Sequence, residues 1–135
     1  MGMNALEIVS AFVDRINAHD VEGICELMQE DHVFIDGLGH AITGREAMKA
    51  GWEAYFAMVP DYWMRIDRRF HEDRMVALFG KAGGTLASDS ELDPDNRWEI
   101  PAAWQAMVGE RGIAVWQVFA DNEPLRQIML RLADD

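Results

Sequence analysis

Asp36 is the residue whose type and setting first suggest chemistry. It closes the apolar run Val33-Phe34-Ile35 and stands just before Gly37-Leu38-Gly39-His40, which reads as a loop. Side chains alternate between the two faces of a strand, so Phe34 and Asp36 share one face. With Phe34 in the core, Asp36 points inward at the mouth of a sheet. A carboxylate in apolar surroundings is pushed toward its neutral form and can exchange a proton near neutral pH. An aspartate here serves equally well as a cap on the turn that follows it. Both roles are open for Asp36. His40 lies four residues on, in the same loop, and imidazole titrates near neutral pH. Its plainer role is an exposed loop histidine.

Other chemistries lack their residues. The histidines are His19, His32, His40 and His71, and no pair has the spacing of a helical metal site. No cysteine or carboxylate cluster completes one, so no metal is expected. There is no nucleophile elbow, phosphate-cradling glycine loop or dinucleotide fingerprint, so no cofactor is expected either. Cys25 is the one cysteine and sits among Ile24, Leu27 and Met28. It reads as a small buried hydrophobe, and the lack of a disulfide partner fits a cytoplasmic protein.

The elements that must position Asp36 can be read from spacing. Asn4 and Glu7 have the spacing of a capping box. Leu6, Val9, Val13 and Ile16 then recur at three and four residues, a helical stripe ending near His19. Asp20 can cap a second, shorter helix carrying Ile24, Leu27 and Met28. Thr43 and Glu46 repeat the capping-box spacing ahead of a third helix that turns Met48, Trp52, Tyr55, Phe56 and Val59 inward and ends at Pro60. Between helices two and three lies a short strand, 33–36. Strands follow at 64–70 and 75–82 about a polar turn, and at 100–108 and 113–119 about Gly109-Glu110-Arg111-Gly112. The acidic, turn-rich stretch 88–97 reads as an exposed loop. The tail from Leu125 fits a strand or a helical turn.

Helices first and strands afterwards predict an α+β domain. Three N-terminal helices pack on a strongly curved antiparallel sheet, giving a cone-shaped α+β barrel with an apolar pocket inside. The 135 residues make one domain, 1–135. The 24 acids against 12 bases leave a net charge of −12, which disfavours nucleic acid and anionic membranes as partners. No 18-residue apolar run is present, so no membrane span is expected, and the first ten residues lack the pattern of a signal peptide.

The run from Phe12 to Asp20, with Leu27, Val33-Phe34-Ile35-Asp36 and Gly44, resembles the nuclear transport factor 2-like superfamily. The nearest branches are the SnoaL-like polyketide cyclases, ketosteroid isomerases and limonene epoxide hydrolases. Trp98-Glu99-Ile100-Pro101-Ala102-Ala103-Trp104, with Gly112-Ile113, Trp116 and Asp121, is similar to their last two strands. The resemblance implies the cone fold and chemistry without a cofactor. Asp36 matches the proton-shuttling base of the isomerases, which works opposite a tyrosine and a neutral aspartate. Here the tyrosine position holds Phe12, and the neutral aspartate falls near Pro101, two residues after Glu99. The epoxide hydrolase set departs further: Trp116 matches, but its aspartates fall at Val118 and Val76, with Arg74 at the arginine. Asp121 matches an aspartate that many SnoaL-like chains keep at the end of the last long strand, where it acts in catalysis or holds the turn before Pro124.

Asp36, Asp121 and His40 are therefore the candidate catalytic residues. The first helix is expected to offer Phe12 and Ile16 to a ligand, and the third Trp52, Tyr55 and Phe56. The sheet is expected to offer Glu99, Met107, Trp116 and Val118. Trp104 is expected on the outer face, where sheets of this superfamily pair as homodimers. The expected function is cofactor-free acid–base chemistry on a small apolar carbonyl compound. The alternatives are a binding protein without catalysis and a dimeric interaction module on the same scaffold.

Overall fold

The computed structural model describes residues 3–88 and 91–134. Asp89 and Ser90, within the expected acidic loop, lie outside the described residues. Helix α1 (Ala5–Asn17) begins at Asn4, whose side chain accepts from the Glu7 backbone while Glu7 reaches back to the Asn4 N–H, forming the expected capping box. Its buried stripe is Val9, Phe12, Val13 and Ile16. Helix α2 (Val21–Glu26) starts at Asp20, which accepts from Gly23 N–H at 3.0 Å. Helix α3 (Arg45–Met58) begins differently from the expectation. Gly44 is its N-cap, at φ +105° and with no side-chain bond, because Thr43 is still the last residue of a strand.

Six strands follow one another across a single open sheet. They are β1 (Met28–Ile35), β2 (Ala41–Thr43), β3 (Trp63–Glu72), β4 (Met75–Thr85), β5 (Arg97–Gly109) and β6 (Gly112–Ala120), in the order β2-β1-β6-β5-β4-β3. The sheet is mixed and not purely antiparallel, since β1 runs parallel to β6. β1 also starts earlier than expected. Its first half, Gln29-Glu30-Asp31, is polar and passes a register shift before Val33, so no alternating pattern marks it. A fourth helix, α4 (Glu123–Asp134), ends the described chain.

The sheet bends around α1 and α3. At Gly80 a Cβ would lie 1.8 Å from the Arg65 carbonyl oxygen, beside the irregularity between Ile66 and Arg68. Only glycine permits that approach, and the edge strand curls there. Asn17 at the end of α1 bonds both backbone groups of Met64, accepting at 2.7 Å and donating at 3.0 Å, which ties the helix to β3. Asp61 similarly accepts from the backbone and hydroxyl of Thr85, each at 2.7 Å. These bonds hold α3 and its connection over the concave face.

His32 is fully buried under α1, and its Nδ1 meets the Ile113 carbonyl oxygen at 2.7 Å. Its Nε2 has no partner among the described residues. Burial lowers the imidazole pKa below its ordinary 6.5, so the folded state holds it neutral. The unfolded chain then binds more protons as pH drops below 6.5, and stability falls with it. Thermal midpoints compared at about pH 8 and pH 5 should drop more for the native chain than for His32→Asn. Equal drops would remove His32 as the cause.

Candidate active site

The concave face of the sheet, α3 and the start of α4 enclose a cavity of about 280 Å³. Its existence follows from side-chain size. Ala82, Ala102 and Ala120 lie on neighbouring strands, with Ala102 opposite Ala120, and none projects far enough to fill the space beneath α3. Large residues ring this floor. β5 contributes Trp98, Ile100 and Trp104, β6 contributes Trp116 and Val118, and β1 contributes Phe34. From above, α3 lowers Trp52 and Tyr55, and Tyr62 follows from its connection to β3. Met48 and Met64 are the methionines of the lining. Leu125 of α4 closes one side, and Arg131 holds that helix by donating to the Asp95 carbonyl at 2.9 Å and to the Asn96 side chain.

Asp36 supplies the one carboxylate among the described lining residues. It sits just past β1 with its side chain 40% exposed, at the rim and not in the depth. Of the two roles open for it in the sequence, the turn cap is formed. Oδ1 accepts from the backbone N–H of Leu38 and of His40, each at 2.9 Å, and so caps the turn. Oδ2 lies 3.6 Å from His40 Nδ1. The loop therefore brings His40 and Asp36 together, although His40 is largely exposed and does not line the cavity.

The remaining donors are neutral. Burial pushes the Tyr55 and Tyr62 phenols well above their ordinary pKa, so both hydroxyls stay protonated at neutral pH. Asn122 adds an amide. The indole N–H groups of Trp52 and Trp98 are buried and have no partner among the described residues.

Several expected site residues lie elsewhere. Glu99 and Met107 occupy odd positions of β5 and are exposed on the convex face, opposite the cavity. Trp104 sits at an even position, so it is 3% exposed on the concave side and not on the outer face. Phe12 and Ile16 are fully buried beneath the sheet but do not line the cavity. Phe12 packs on Trp116 at 4.8 Å between ring centroids. Phe56 leaves the cavity to stack on His19 at 4.2 Å. Asp121 is exposed, and its carboxylate accepts from Glu123 N–H at 3.0 Å, which holds the start of α4. Trp52, Tyr55, Trp116 and Val118 do line the cavity. Tyr62 and Trp98 were not expected there. For Trp98 a signal existed: every even position of β5 from 98 to 108 is apolar, whereas the odd ones include Glu99 and Gln105. Cys25 is buried, and burial pushes its thiol pKa up, as suits an inert hydrophobe.

A curved sheet wrapped on helices around a cavity defines the nuclear transport factor 2-like cone. The SnoaL-like domain family matches residues 9–123, and the chain belongs to that family. No curated protein matches it in sequence. Among solved structures it is similar to a candidate polyketide cyclase from Xanthomonas campestris, at 16% identity and TM-score 0.79, with 92% of this chain and 96% of that one covered. A candidate SnoaL-like polyketide cyclase from Shewanella denitrificans gives 13% identity and TM-score 0.78 over 94% and 97% of the two chains. A ketosteroid isomerase-like fold protein from Catenulispora acidiphila, solved with trimethylamine, gives 19% and 0.72 over 84% of each. At these identities the likeness establishes the fold. No helix among the described residues is long and apolar enough to cross a membrane.

Proposed function

We propose that this chain is a cofactor-free enzyme that moves a proton on a small, largely apolar carbonyl compound. The observation that carries this reading is one carboxylate at the rim of a largely apolar cavity. Asp36 Oδ2 takes a proton from carbon next to the carbonyl and returns it at another position or after ring closure. His40, 3.6 Å from that oxygen, relays the proton with solvent. The enolate oxygen that develops needs a donor, and the neutral phenols of Tyr55 and Tyr62 and the Asn122 amide are lining groups that can serve. The SnoaL-like membership supports the scaffold for such chemistry, and a cytoplasmic setting belongs to the same reading. The purified protein should speed exchange of solvent deuterium into small enolisable ketones. A panel of ketones that bind without exchanging would sink the catalytic reading.

That second result would favour a binding protein without catalysis. The use of Asp36 Oδ1 in two backbone bonds is the observation on its side.

We also read the convex face as the pairing surface between two copies. Met75, Phe79, Met107 and Phe119 are exposed there, and Phe70 meets Phe79 edge-on at 5.9 Å. Sedimentation should give a dimer at micromolar concentration and a monomer for Phe119→Glu. A native chain that sediments as a monomer would contradict this surface.

A further inference from the structure

We propose that the cavity takes a ligand bearing a trialkylated or tetraalkylated ammonium group. This rests on reading the cavity as a ligand site but not on Asp36 acting as a base. Part of its wall is a chain of aromatic rings in contact with one another. Trp52 and Tyr55 meet at 89° with centroids 6.3 Å apart, and Tyr55 and Tyr62 at 83° and 5.0 Å. Tyr62 continues to Trp98 at 6.2 Å. The aromatic side chains that line the cavity present π surface to a group held in it. That surface carries partial negative charge and attracts a cation, most strongly from tryptophan.

The indole N–H donors of Trp52 and Trp98 are withdrawn. The buried N–H groups of Trp52 and Trp98 are closed off from the open space, so ring carbon faces it. No lysine or arginine occurs among the described lining residues, and Asp36 places a negative charge at the rim. The net charge of −12 raises the local concentration of cations around the chain.

The same features select the kind of cation. A primary ammonium brings three N–H donors and a tight hydration shell, and this cavity holds few acceptors to replace it. An alkylated ammonium presents methyl or methylene groups, buries them against the rings and keeps its charge. An anion finds no lysine or arginine and meets Asp36.

Calorimetric titration of the full chain with choline and with dimethylbutanol, its uncharged carbon isostere, separates charge from shape. Choline should bind about thirtyfold more tightly, the size of one desolvated cation–π contact. Trp98→Leu and Asp36→Asn, each first checked for native circular dichroism, should lower choline affinity more than that of the isostere. Should Trp98→Leu fail to fold, Asp36→Asn carries the same comparison. Equal or tighter binding of dimethylbutanol overturns the ammonium proposal and leaves the cavity a site for neutral ligands. No binding of either probe overturns both readings.

Discussion

Asp36→Asn is expected to lower proton-transfer turnover by ~10²- to 10⁴-fold while leaving the fold intact. The size is that of losing a positioned general base. The fold should survive because of which oxygen does what. Oδ1 accepts from Leu38 and His40 N–H, and an asparagine carbonyl oxygen in the same place accepts both bonds. Oδ2, on the His40 side, becomes an amide that cannot take a proton. Thermal midpoints of the two proteins should agree closely, so any lost turnover is chemical. Asp36→Ala would not make this separation, since it would release the turn as well. If the Asn variant keeps its rate, the base lies elsewhere. Asp121 is then a poor replacement, because its carboxylate is exposed and engaged at the start of α4.

Phe12→Ala is expected to cost about 3–5 kcal/mol of folding stability, a large share of the ~5–15 kcal/mol typical of a domain. Phe12 is fully buried, 4.8 Å from Trp116 and 6.4 Å from His32 by ring centroid. Removing its ring takes away the contact between α1 and Trp116 of β6, a side chain that also lines the cavity. The surrounding helices and sheet can close only part of the gap. Urea denaturation followed by tryptophan fluorescence gives the number directly. A loss under about 1 kcal/mol would mean that the site collapses without strain, which a position this buried should not allow. The prediction also separates two roles for one residue. As a ligand contact Phe12 would matter to binding, whereas as a core residue it matters to stability first.

The order and kind of most elements were legible in the sequence. The Asn4–Glu7 box and the stripe through Val9, Val13 and Ile16 mark α1 without ambiguity, because caps and helical period agree. The hairpin of β5 and β6 was equally plain from the glycines at 109 and 112. What spacing does not supply is which face of a strand turns inward. Alternation groups Trp98, Ile100, Ala102 and Trp104 together but leaves the concave side unnamed, so Glu99 and Met107 were assigned to the cavity and Trp104 to the outside. Curvature settles the matter, and curvature comes from places such as Gly80, where the chain approaches Arg65 too closely for a side chain. The start of β1 was hidden because its polar residues Gln29-Glu30-Asp31 fall in the irregular stretch of a ladder whose partner, β6, lies more than 80 positions away in sequence. Tyr62 escaped notice since it belongs to a connection, and only packing brings it beside Tyr55.

Asp36 caps its loop through Oδ1, which leaves Oδ2 free of backbone bonds for the proposed proton transfer. The most direct measurement of the central claim is therefore deuterium incorporation from heavy water into a bound enolisable ketone, followed by NMR for the native chain beside Asp36→Asn. Incorporation above the buffer rate is expected with the native chain, and its loss in the variant. Equal incorporation by the two proteins would contradict it.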